Sequence, residues 1–138
     1  MNEVFADTFY WVAFTNIRDT AHERAKAFMR TAPARLILTT EEVLTEYLNY
    51  FAAWGPEFRH IATTNIHNMR ASRTVRIVPQ SVASFQAGLM LYQSRPDKGY
   101  SLVDCISMQA MREEGLTEIL TNDQHFEQEG FRALFRDR

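Results

Sequence analysis

Short apolar runs alternate along the chain with longer stretches whose apolar residues recur at helical spacing. The runs predict buried strands at residues 4–6, 35–39, 74–79 and 118–121, with a possible fifth at residues 133–135. Strands that are short and apolar enough to be covered on both faces are typical of parallel sheets. The alternation of strands and helices therefore predicts a three-layer α/β/α sandwich around a central, mostly parallel sheet of four to five strands.

Helix signals fill the intervals between these strands. Residues 19–33 have the length and composition of a connecting helix, with Asp19 or Thr20 as its cap and Pro33 just beyond its end. Thr39, with Glu42 three residues later, has the pattern of a capping box that opens the next helix. The apolar residues of that helix are Val43, Leu44, Tyr47, Leu48 and Phe51, and its stop signals are Gly55 and Pro56.

Three more helices are predicted in the second half of the chain. Residues 56–72 form a polar helical stretch. Residues 80–94 carry four apolar side chains on one helical face, namely Val82, Phe85, Leu89 and Tyr92. Ser101 and Asp104 open the last of the three helices, and Gly115 ends it.

The composition agrees with one globular domain, which we expect to span residues 1–138. Apolar residues make up 46% of the chain and charged residues 23%, and a chain of this length buries roughly 68% of its unfolded surface. No run approaches the ~18 apolar residues that a membrane span needs, and the start lacks the pattern of a signal peptide. The single cysteine, Cys105, falls within an apolar helical pattern. We therefore expect a cytoplasmic protein with a buried, reduced cysteine.

The net charge of −2 argues against a protein that binds nucleic acid mainly through a basic field. This conclusion changes if four of the acids are metal ligands, because the charge of the remaining residues is then positive and the metal ions add to it. Among the 15 basic residues, only Lys26 and Lys98 are lysines. The excess of arginine suits bidentate contact with phosphate, and a bias in base composition explains it equally well.

Several acids stand where a parallel sheet places its ligands. Such sheets bind ligands outside the carboxyl ends of their strands. Asp7 follows the first predicted strand, Glu46 lies two turns into the helix after the second, and Asp123 follows the fourth. Asp104 opens the helix that leads into the fourth strand, and we expect that helix to start at the opposite end of the sheet.

Each aspartate also has an ordinary structural explanation. Asp7 suits the N-cap of a helix that starts at Thr8, Asp104 completes a capping box, and Asp123 belongs to a turn. Glu46 is harder to explain in this way, because it borders the apolar face of its helix. A divalent cation would neutralise such a carboxylate, and Mg²⁺ and Mn²⁺ prefer carboxylate oxygens as ligands.

The order and setting of these acids resemble those of the PIN-domain ribonucleases, and especially of the VapC-type toxins of bacterial toxin-antitoxin pairs. The resemblance is carried by VFADTFYWVA around Asp7, LTTEEVLTEYL around Glu46, SLVDCISMQAMREEG around Asp104 and LTNDQHF around Asp123. Each motif is short, but four of them in this order, over nearly the whole chain, form a specific pattern. The family fold bends the start of the Asp104 helix into a metal site, which implies that the four acids meet.

The resemblance implies a metal-dependent endoribonuclease that uses Mg²⁺ or Mn²⁺. Asp7, Glu46, Asp104 and Asp123 would be its metal ligands and catalytic residues, with Glu46 either completing the metal shell or helping to deprotonate the attacking water. The resemblance also implies an RNA substrate, a cognate antitoxin, a homodimer and no membrane partner. The alternative is a degenerate PIN-like module that binds RNA or protein without cutting, and the retention of all four acids counts against it.

Two other folds with acidic clusters lack residues that they require. A phosphatase of the haloacid-dehalogenase type needs a second aspartate two residues after the first, where this chain has Phe9. A receiver domain needs adjacent acids near its start and a lysine after a late strand. Neither feature is present in the sequence.

Further residues are candidates for supporting roles. Thr8 and Thr121 would orient neighbouring carboxylates, and Asn122 would hold a water molecule. Four arginines could contact RNA phosphates, although a solvated charged face explains them as well: Arg70, Arg73, Arg76 and Arg112. Four histidines lack metal-ligand spacing, and we expect ordinary surface or capping roles for them: His22, His60, His67 and His125. The aromatic run Phe9, Tyr10 and Trp11 is expected to lie in the core.

Overall fold

Five parallel strands form the central sheet of the computed structural model, which describes residues 2–31 and 35–136. The strands are β1 (Asn2–Ala6), β2 (Arg35–Thr40), β3 (Val75–Val78), β4 (Glu118–Leu120) and β5 (Arg132–Ala133). The helices are α1 (Thr8–Thr15), α2 (His22–Thr31), α3 (Glu41–Phe51), α4 (Pro56–Ala71), α5 (Val82–Ser94), α6 (Leu102–Glu113) and α7 (Gln124–Gln128). All four strand pairings are parallel. The predicted sheet, with its possible fifth strand, is confirmed.

The strand order, β3-β2-β1-β4-β5, determines where a ligand can bind. The chain leaves β1 towards β2 on one side of the sheet, whereas β4 lies on the other side of β1 and leads outwards to β5. A crevice forms at such a switch point, outside the carboxyl ends of the two central strands. Ala6 of β1 is in register with Leu120 of β4. The next residues along each strand, Asp7 and Thr121, therefore enter the same crevice.

The core is built on the sheet and on the aromatic run of α1. Phe5 and Leu38 are fully buried in adjacent strands, and Tyr10 and Trp11 are buried beneath them in α1. Phe9 is partly buried against the same cluster. The prediction that the aromatic run lies in the core is therefore confirmed. Cys105 is buried and unpaired, as the sequence predicts.

The start of α3 differs by one residue from the predicted capping box. Thr40 is the N-cap, and its hydroxyl accepts a hydrogen bond of 3.1 Å from the backbone N–H of Val43. Thr39 is fully buried in β2, where its hydroxyl donates to the carbonyl of Ala6 and accepts from the Trp11 indole. The Thr39 prediction was wrong because that side chain links β1 and α1 from within the sheet.

The first crossover contains both predicted helices, one starting at Thr8 and one within residues 19–33. The second of them, α2, begins at His22. Asp19 acts in the turn before it, accepting a hydrogen bond of 2.9 Å from the N–H of Ala21. Pro33, predicted beyond the helix end, lies outside the described residues. The next crossover confirms its stop signals, since Gly55 has a φ of 100° and Pro56 is the first residue of α4.

Helix α6 starts at the carboxyl ends of the strands. Its first turn carries Asp104, which lies beside His125 in the segment that follows β4. The prediction that this helix starts at the opposite end of the sheet was wrong. A helix that feeds a parallel strand must finish at the amino end of that strand, so its own start lies at the carboxyl end. The predicted capping box is present, because Ser101 and Asp104 exchange hydrogen bonds of 3.0 and 3.1 Å.

The apolar face predicted for α5 points into solvent. Val82 is 88% exposed, and Phe85 and Tyr92 are each 51% exposed. The buried side of the helix carries Gly88 and Leu91 instead. A Cβ at Gly88 would overlap the side chain of Ile106 in α6 and lie 3.2 Å from its Cα. The absence of a side chain at Gly88 therefore permits α5 to pack closely on α6.

No helix among the described residues is both long enough and apolar enough to cross a membrane.

We expect Gly88→Ala to lower the free energy of unfolding by about 1–2 kcal/mol, because the cost of overpacking against Ile106 exceeds the gain in helix propensity. Urea denaturation measures this change. Gln86→Ala, at an exposed position of the same helix, is the control and should shift stability by less than about 0.5 kcal/mol. A more stable Gly88→Ala protein would contradict the close approach of α5 and α6.

Candidate metal centre

Asp7 lies at the bottom of the crevice between β1 and β4. It occupies the N-cap position of α1, but its side chain makes no capping hydrogen bond. One carboxylate oxygen, Oδ2, instead accepts a hydrogen bond of 3.0 Å from the Thr121 hydroxyl. Asp7 is only 6% exposed and Thr121 is fully buried. The carboxylate is thus directed towards β4 rather than towards its own helix.

Asp123 is held in place by the same threonine. Its backbone N–H donates to the Thr121 hydroxyl at 3.2 Å, and its Oδ1 accepts from the backbone N–H of His125 at 2.9 Å. Asp123 is therefore also the N-cap of α7. Because Thr121 hydrogen-bonds to both Asp7 and Asp123, it connects the acid after β1 with the acid after β4.

Asp104 reaches the crevice from the first turn of α6. Its Oδ2 accepts from the backbone of Ser101 and lies 3.8 Å from Nδ1 of His125. The Asp104 side chain is only 15% exposed. The capping explanation for Asp104 is correct, and the cap also directs this carboxylate towards Asp123 and His125.

Glu46 approaches from α3 and is paired with Thr8. The Thr8 hydroxyl donates a hydrogen bond to Oε1 of Glu46. Glu46 is partly buried, at the margin of a helix whose Val43 and Tyr47 belong to the core. Thr8 follows Asp7 directly, so the start of α1 positions both an acid and the donor to a second acid.

Burial and the charge of neighbouring acids raise the pKa values of Asp7 and Asp104. Burial, followed by the charge of Asp104 and a smaller effect of Glu46, raises the pKa of Asp7 to about 7, against the lowering effect of hydrogen bonds from Thr8 and Thr121. Burial, and then the charges of Asp123 and Glu46, raise the pKa of Asp104. Within residues 2–31 and 35–136, no arginine or lysine forms an ion pair with any of the four acids. The site thus concentrates negative charge with no arginine or lysine from the described residues to balance it, and the basic side chain beside it is the imidazole of His125.

The donor atoms at the centre of the site suit a divalent cation. Asp104, Asp123 and His125 each offer a ligand atom, and these atoms lie within 4.8 Å of one another. Two carboxylate oxygens and one imidazole nitrogen form a ligand set that Mn²⁺ and related ions accept. The predicted ligand set had Asp7 and Glu46 in place of a histidine. These two acids border the same crevice, but they are outside the tightest group of donors.

The prediction of surface or capping roles for the four histidines was wrong for His125, whereas His22 contacts a carbonyl in the last turn of α1 and so has a capping role. His125 lies among the acids, with Nδ1 at 3.3 Å from Oδ1 of Asp123. His22 is buried, and its Nδ1 hydrogen-bonds to the carbonyl of Ala13 at 2.8 Å. His60 and His67 are exposed on α4, as expected. A signal for His125 was present in the sequence, since it lies two residues after a candidate ligand at the start of a short helix.

The remaining candidates occupy the periphery. Asn122 is exposed, and among the described residues its backbone carbonyl accepts a hydrogen bond from Arg136. Arg76 is paired with Glu3 at 3.4 Å and with Glu114 at 2.6 Å. Arg112 is bound to Glu129 at 2.8 Å. These ion pairs make Arg76 and Arg112 less available for contact with RNA phosphates. Arg70 and Arg73 are exposed and form no ion pair with the other described residues.

Comparison with known proteins gives one relative at moderate identity over almost the whole chain. No family model matches. The 23S rRNA-specific endonuclease VapC20 of Mycobacterium tuberculosis, found in two strains, is 26% identical over 128 residues, which are 93% of this chain and 95% of that protein. The crystal structure of VapC20, a Sarcin-Ricin loop cleaving toxin, is similar to this chain with a TM-score of 0.81 at the same coverage.

Two further crystal structures share the fold at lower identity. VapBC2 from Rickettsia felis, bound to a DNA fragment from their promoter, gives a TM-score of 0.66 at 15% identity and covers 95% of this chain and 96% of its own. FitAcB from Neisseria gonorrhoeae gives a TM-score of 0.59 at 17% identity, with 94% and 95% covered. The predicted α/β/α fold is confirmed by these similarities.

We expect Asp7→Asn to stabilise the metal-free protein at pH 8. The pKa of Asp7 is about 7 in the folded protein and 3.8 in the unfolded chain, so the folded state binds more protons between these values. The contribution of Asp7 to stability is therefore complete below pH 3.8 and is lost as the pH rises to about 7. Asparagine keeps an oxygen for the Thr121 hydroxyl and carries no charge.

The gain for Asp7→Asn should be about 1–4 kcal/mol at pH 8 and close to zero near pH 4, as measured by urea denaturation in the presence of a chelator. Asp97→Asn removes an acid that is 71% exposed and serves as the control, with no such pH dependence. If the parent protein is more stable than Asp7→Asn at pH 8 without metal, the ionised Asp7 carboxylate does not destabilise the folded protein and its pKa is not raised.

Proposed function

We propose that this chain, which has the PIN-domain fold and the resemblance to VapC-type toxins that its sequence predicts, is a divalent-metal-dependent endoribonuclease and the toxin of a toxin-antitoxin pair. Three findings support the proposal: the fold, the similarity to an RNA-cleaving relative, and the acidic crevice. We propose that it acts in the cytoplasm, where an RNA substrate and an antitoxin would be available to it. Which RNA it cuts depends on surfaces outside the crevice, and we take 23S ribosomal RNA as the first candidate because it is the substrate of VapC20.

The convergence of carboxylates at the switch point of the sheet is the observation that carries this proposal. Asp7, Asp104 and Asp123 come from three separate elements, and burial and mutual charge raise the pKa of the first two. An arrangement that disfavours the ionised form of its own residues is costly for stability alone. Functional sites are where such costs are found in proteins.

A divalent cation is the cofactor that the donors suit. Asp104, Asp123 and His125 would hold it, with Asp7 and Glu46 beside it. When bound, such an ion supplies an activated water molecule and stabilises the leaving oxygen of the phosphodiester. The sequence predicts Mg²⁺ or Mn²⁺.

The chain's own residues position the reacting groups. Thr121 fixes the direction of the Asp7 carboxylate, and Thr8 occupies Oε1 of Glu46. The second oxygen of Glu46, Oε2, remains to accept a proton from the attacking water. Of the predicted phosphate contacts, Arg70 and Arg73 keep that role in this proposal, because Arg76 and Arg112 are engaged by glutamates.

The exposed apolar face of α5 is the surface that we assign to a second copy of the chain. Val82, Phe85 and Met90 are between 51% and 88% exposed. Residues 80–94 contain no charged side chain at all. A two-fold contact brings the same surface of both copies together, so an uncharged face avoids like-charge repulsion. Apolar area of this kind marks an interaction site on most proteins.

A different apolar area is assigned to the antitoxin. A groove of about 510 Å³ lies between α1, α2 and α4, and Ile17 at its edge is 77% exposed. Its lining combines apolar side chains with cations, as in Phe14, Met29, Ile61, Lys26 and Arg30. An apolar segment that also carries acidic residues would complement this lining.

Nuclease activity is tested with the purified protein on 23S ribosomal RNA, with transfer RNA as a second substrate. We expect cleavage that requires Mg²⁺ or Mn²⁺ and falls by at least about 100-fold in Asp123→Asn, because groups that merely orient metal ligands contribute ~10–100-fold. Asp97→Asn is the matched control and should retain full activity. Equal cleavage by the parent and Asp123→Asn would indicate a contaminating nuclease. RNA binding without cleavage would favour the degenerate PIN-like module.

Self-association is tested by sedimentation of the parent and of Phe85→Glu. We expect a dimer whose dissociation constant rises by at least about 30-fold in the variant, since burying an unpaired charge at an interface centre costs ~2 kcal/mol or more. Thr64→Glu adds the same charge at an exposed position of α4 and should leave the dimer intact. A parent protein that sediments as a monomer would show that the α5 face serves another purpose.

A further inference from the structure

His125 brings a nitrogen donor into a site whose other donors are all oxygens. Its Nδ1 lies 3.3 Å from Oδ1 of Asp123 and 3.8 Å from Oδ2 of Asp104. The histidine is on α7, and the two acids come from the turn after β4 and from α6. The imidazole therefore lies beside donors from two other parts of the chain.

The orientation of the imidazole is fixed by its neighbours. The backbone N–H of His125 is bound to Asp123, and the Tyr100 ring packs edge-on against the imidazole with a centroid distance of 5.4 Å. Nε2 faces Gly99, where an added Cβ would lie 3.4 Å away. With Nε2 directed towards Gly99, the Nδ1 edge is directed towards the acids.

Tyr100 is itself anchored outside the metal site. Its hydroxyl donates to Glu129 at 2.9 Å, and Glu129 also forms ion pairs with Arg95 and Arg112. Although burial would raise it, the pKa of Glu129 is lowered to about 2 by hydrogen bonds from the two arginines and Tyr100. This ionised and fully paired glutamate gives the tyrosine a rigid attachment, so the ring that supports His125 is held independently of the acids.

The Nδ1 atom has no hydrogen-bond partner among the described residues, although it is buried. The nearby carboxylate oxygens are close to Nδ1 but do not meet the geometry of a hydrogen bond. Leaving a buried polar atom unpaired is unfavourable, so such atoms usually have a partner in the functional protein. The uncompensated atom here faces the two acids that would hold the cation.

The distances between the donors are those of atoms that can share one ion. Ligands at about 2.1 Å from a six-coordinate ion lie roughly 3 Å apart when adjacent and 4 Å apart when opposite. The separations from Nδ1 to the two carboxylates are 3.3 and 3.8 Å. Small side-chain adjustments would therefore suffice for all three to contact the same ion.

We infer that Nδ1 of His125 is a direct ligand of the catalytic cation and makes the site selective for Mn²⁺ over Mg²⁺. Mg²⁺ is a hard ion that takes oxygen ligands, whereas affinity for imidazole increases along the first-row transition metals. The inference rests on the divalent-metal part of the proposed function. It also gives Gly99, Tyr100 and Glu129 a shared purpose, which is to orient this imidazole.

Mn²⁺ provides the test, because its electron spin reports bound nitrogen directly. Tag-free protein with one equivalent of Mn²⁺ is studied by pulsed electron paramagnetic resonance, with unlabelled histidine and with ¹⁵N-labelled histidine. We expect a directly bound ¹⁴N signal that changes to ¹⁵N on labelling. The signal should vanish in His125→Phe, which keeps a ring beside Tyr100 but has no donor atom, and persist in His67→Phe at an exposed position of α4.

Competition between the two ions gives an independent readout. Displacement of Mn²⁺ by Mg²⁺ should show a preference for Mn²⁺ in the parent that falls by about tenfold or more in His125→Phe. If that variant does not fold, His125→Asn places an amide oxygen near the position of Nδ1 and should shift the preference towards Mg²⁺. The labelled parent protein decides the question of ligation even without a variant.

The possible outcomes separate this inference from the proposed function. One outcome is that Mn²⁺ binds, that Asp104→Asn weakens this binding and that no histidine nitrogen is detected. That outcome would overturn the inference and leave the metal-dependent nuclease intact. Such a result would make His125 a counter-ion to the acids. Mn²⁺ binding that is absent, or unchanged in Asp104→Asn, would overturn both.

Discussion

Negative charge that no lysine or arginine balances, at the carboxyl ends of β1 and β4, is the constraint on which the rest of the site depends. Asp104 and Asp123 lie together there with Asp7 and Glu46 beside them, and no lysine or arginine ion pair reaches these acids within the described chain. Burial and repulsion raise the pKa of Asp7 to about 7. Elsewhere the protein pairs its buried acids, as Glu129 with Arg95 and Arg112 illustrates. Acids without arginine or lysine partners indicate a binding site, whereas an acid paired with two arginines, such as Glu129, belongs to a structural ion-pair network.

The fold imposes this convergence through ordinary structural elements. The strand order creates a crevice between β1 and β4, and the register of Ala6 with Leu120 makes both strands end at the same level. Thr121 then connects Asp7 with Asp123, and the capping box of α6 directs Asp104 inward. Capping and ligand binding are therefore not competing explanations for these aspartates. The cap fixes the backbone and holds Oδ2 of Asp104 and Oδ1 of Asp123, and these same oxygens lie nearest to Nδ1 of His125. A carboxylate oxygen has more than one acceptor position, so a capping oxygen can also bind a cation.

The sequence predicts the fold well because the apolar periodicity is unambiguous and each strand end is followed by a polar residue. Its errors have specific physical causes. The N-cap of α3 shifted from Thr39 to Thr40 because Thr39 is needed inside the sheet, for hydrogen bonds with Ala6 and Trp11. The helical pattern of α6 was predicted correctly, but the end of the sheet at which it starts was not, because the connection to the parallel strand β4 was misread. The spacing of His125 from Asp123 was a signal, but it did not reveal the role of His125, because Asp104 is distant in the sequence and the imidazole orientation depends on Tyr100. Periodicity alone also cannot distinguish an apolar face that is buried in the monomer from the exposed face of α5.

A divalent cation, rather than an arginine or lysine, is expected to stabilise this acidic crevice. The decisive measurement is a crystal structure of the protein grown with Mn²⁺, with anomalous diffraction recorded at the manganese absorption edge. We expect an anomalous peak between the carboxylates of Asp104 and Asp123, with Asp7 and Glu46 directed towards the same point. The absence of a peak there in crystals grown with excess Mn²⁺, or an arginine or lysine paired with the carboxylates in its place, would refute this expectation.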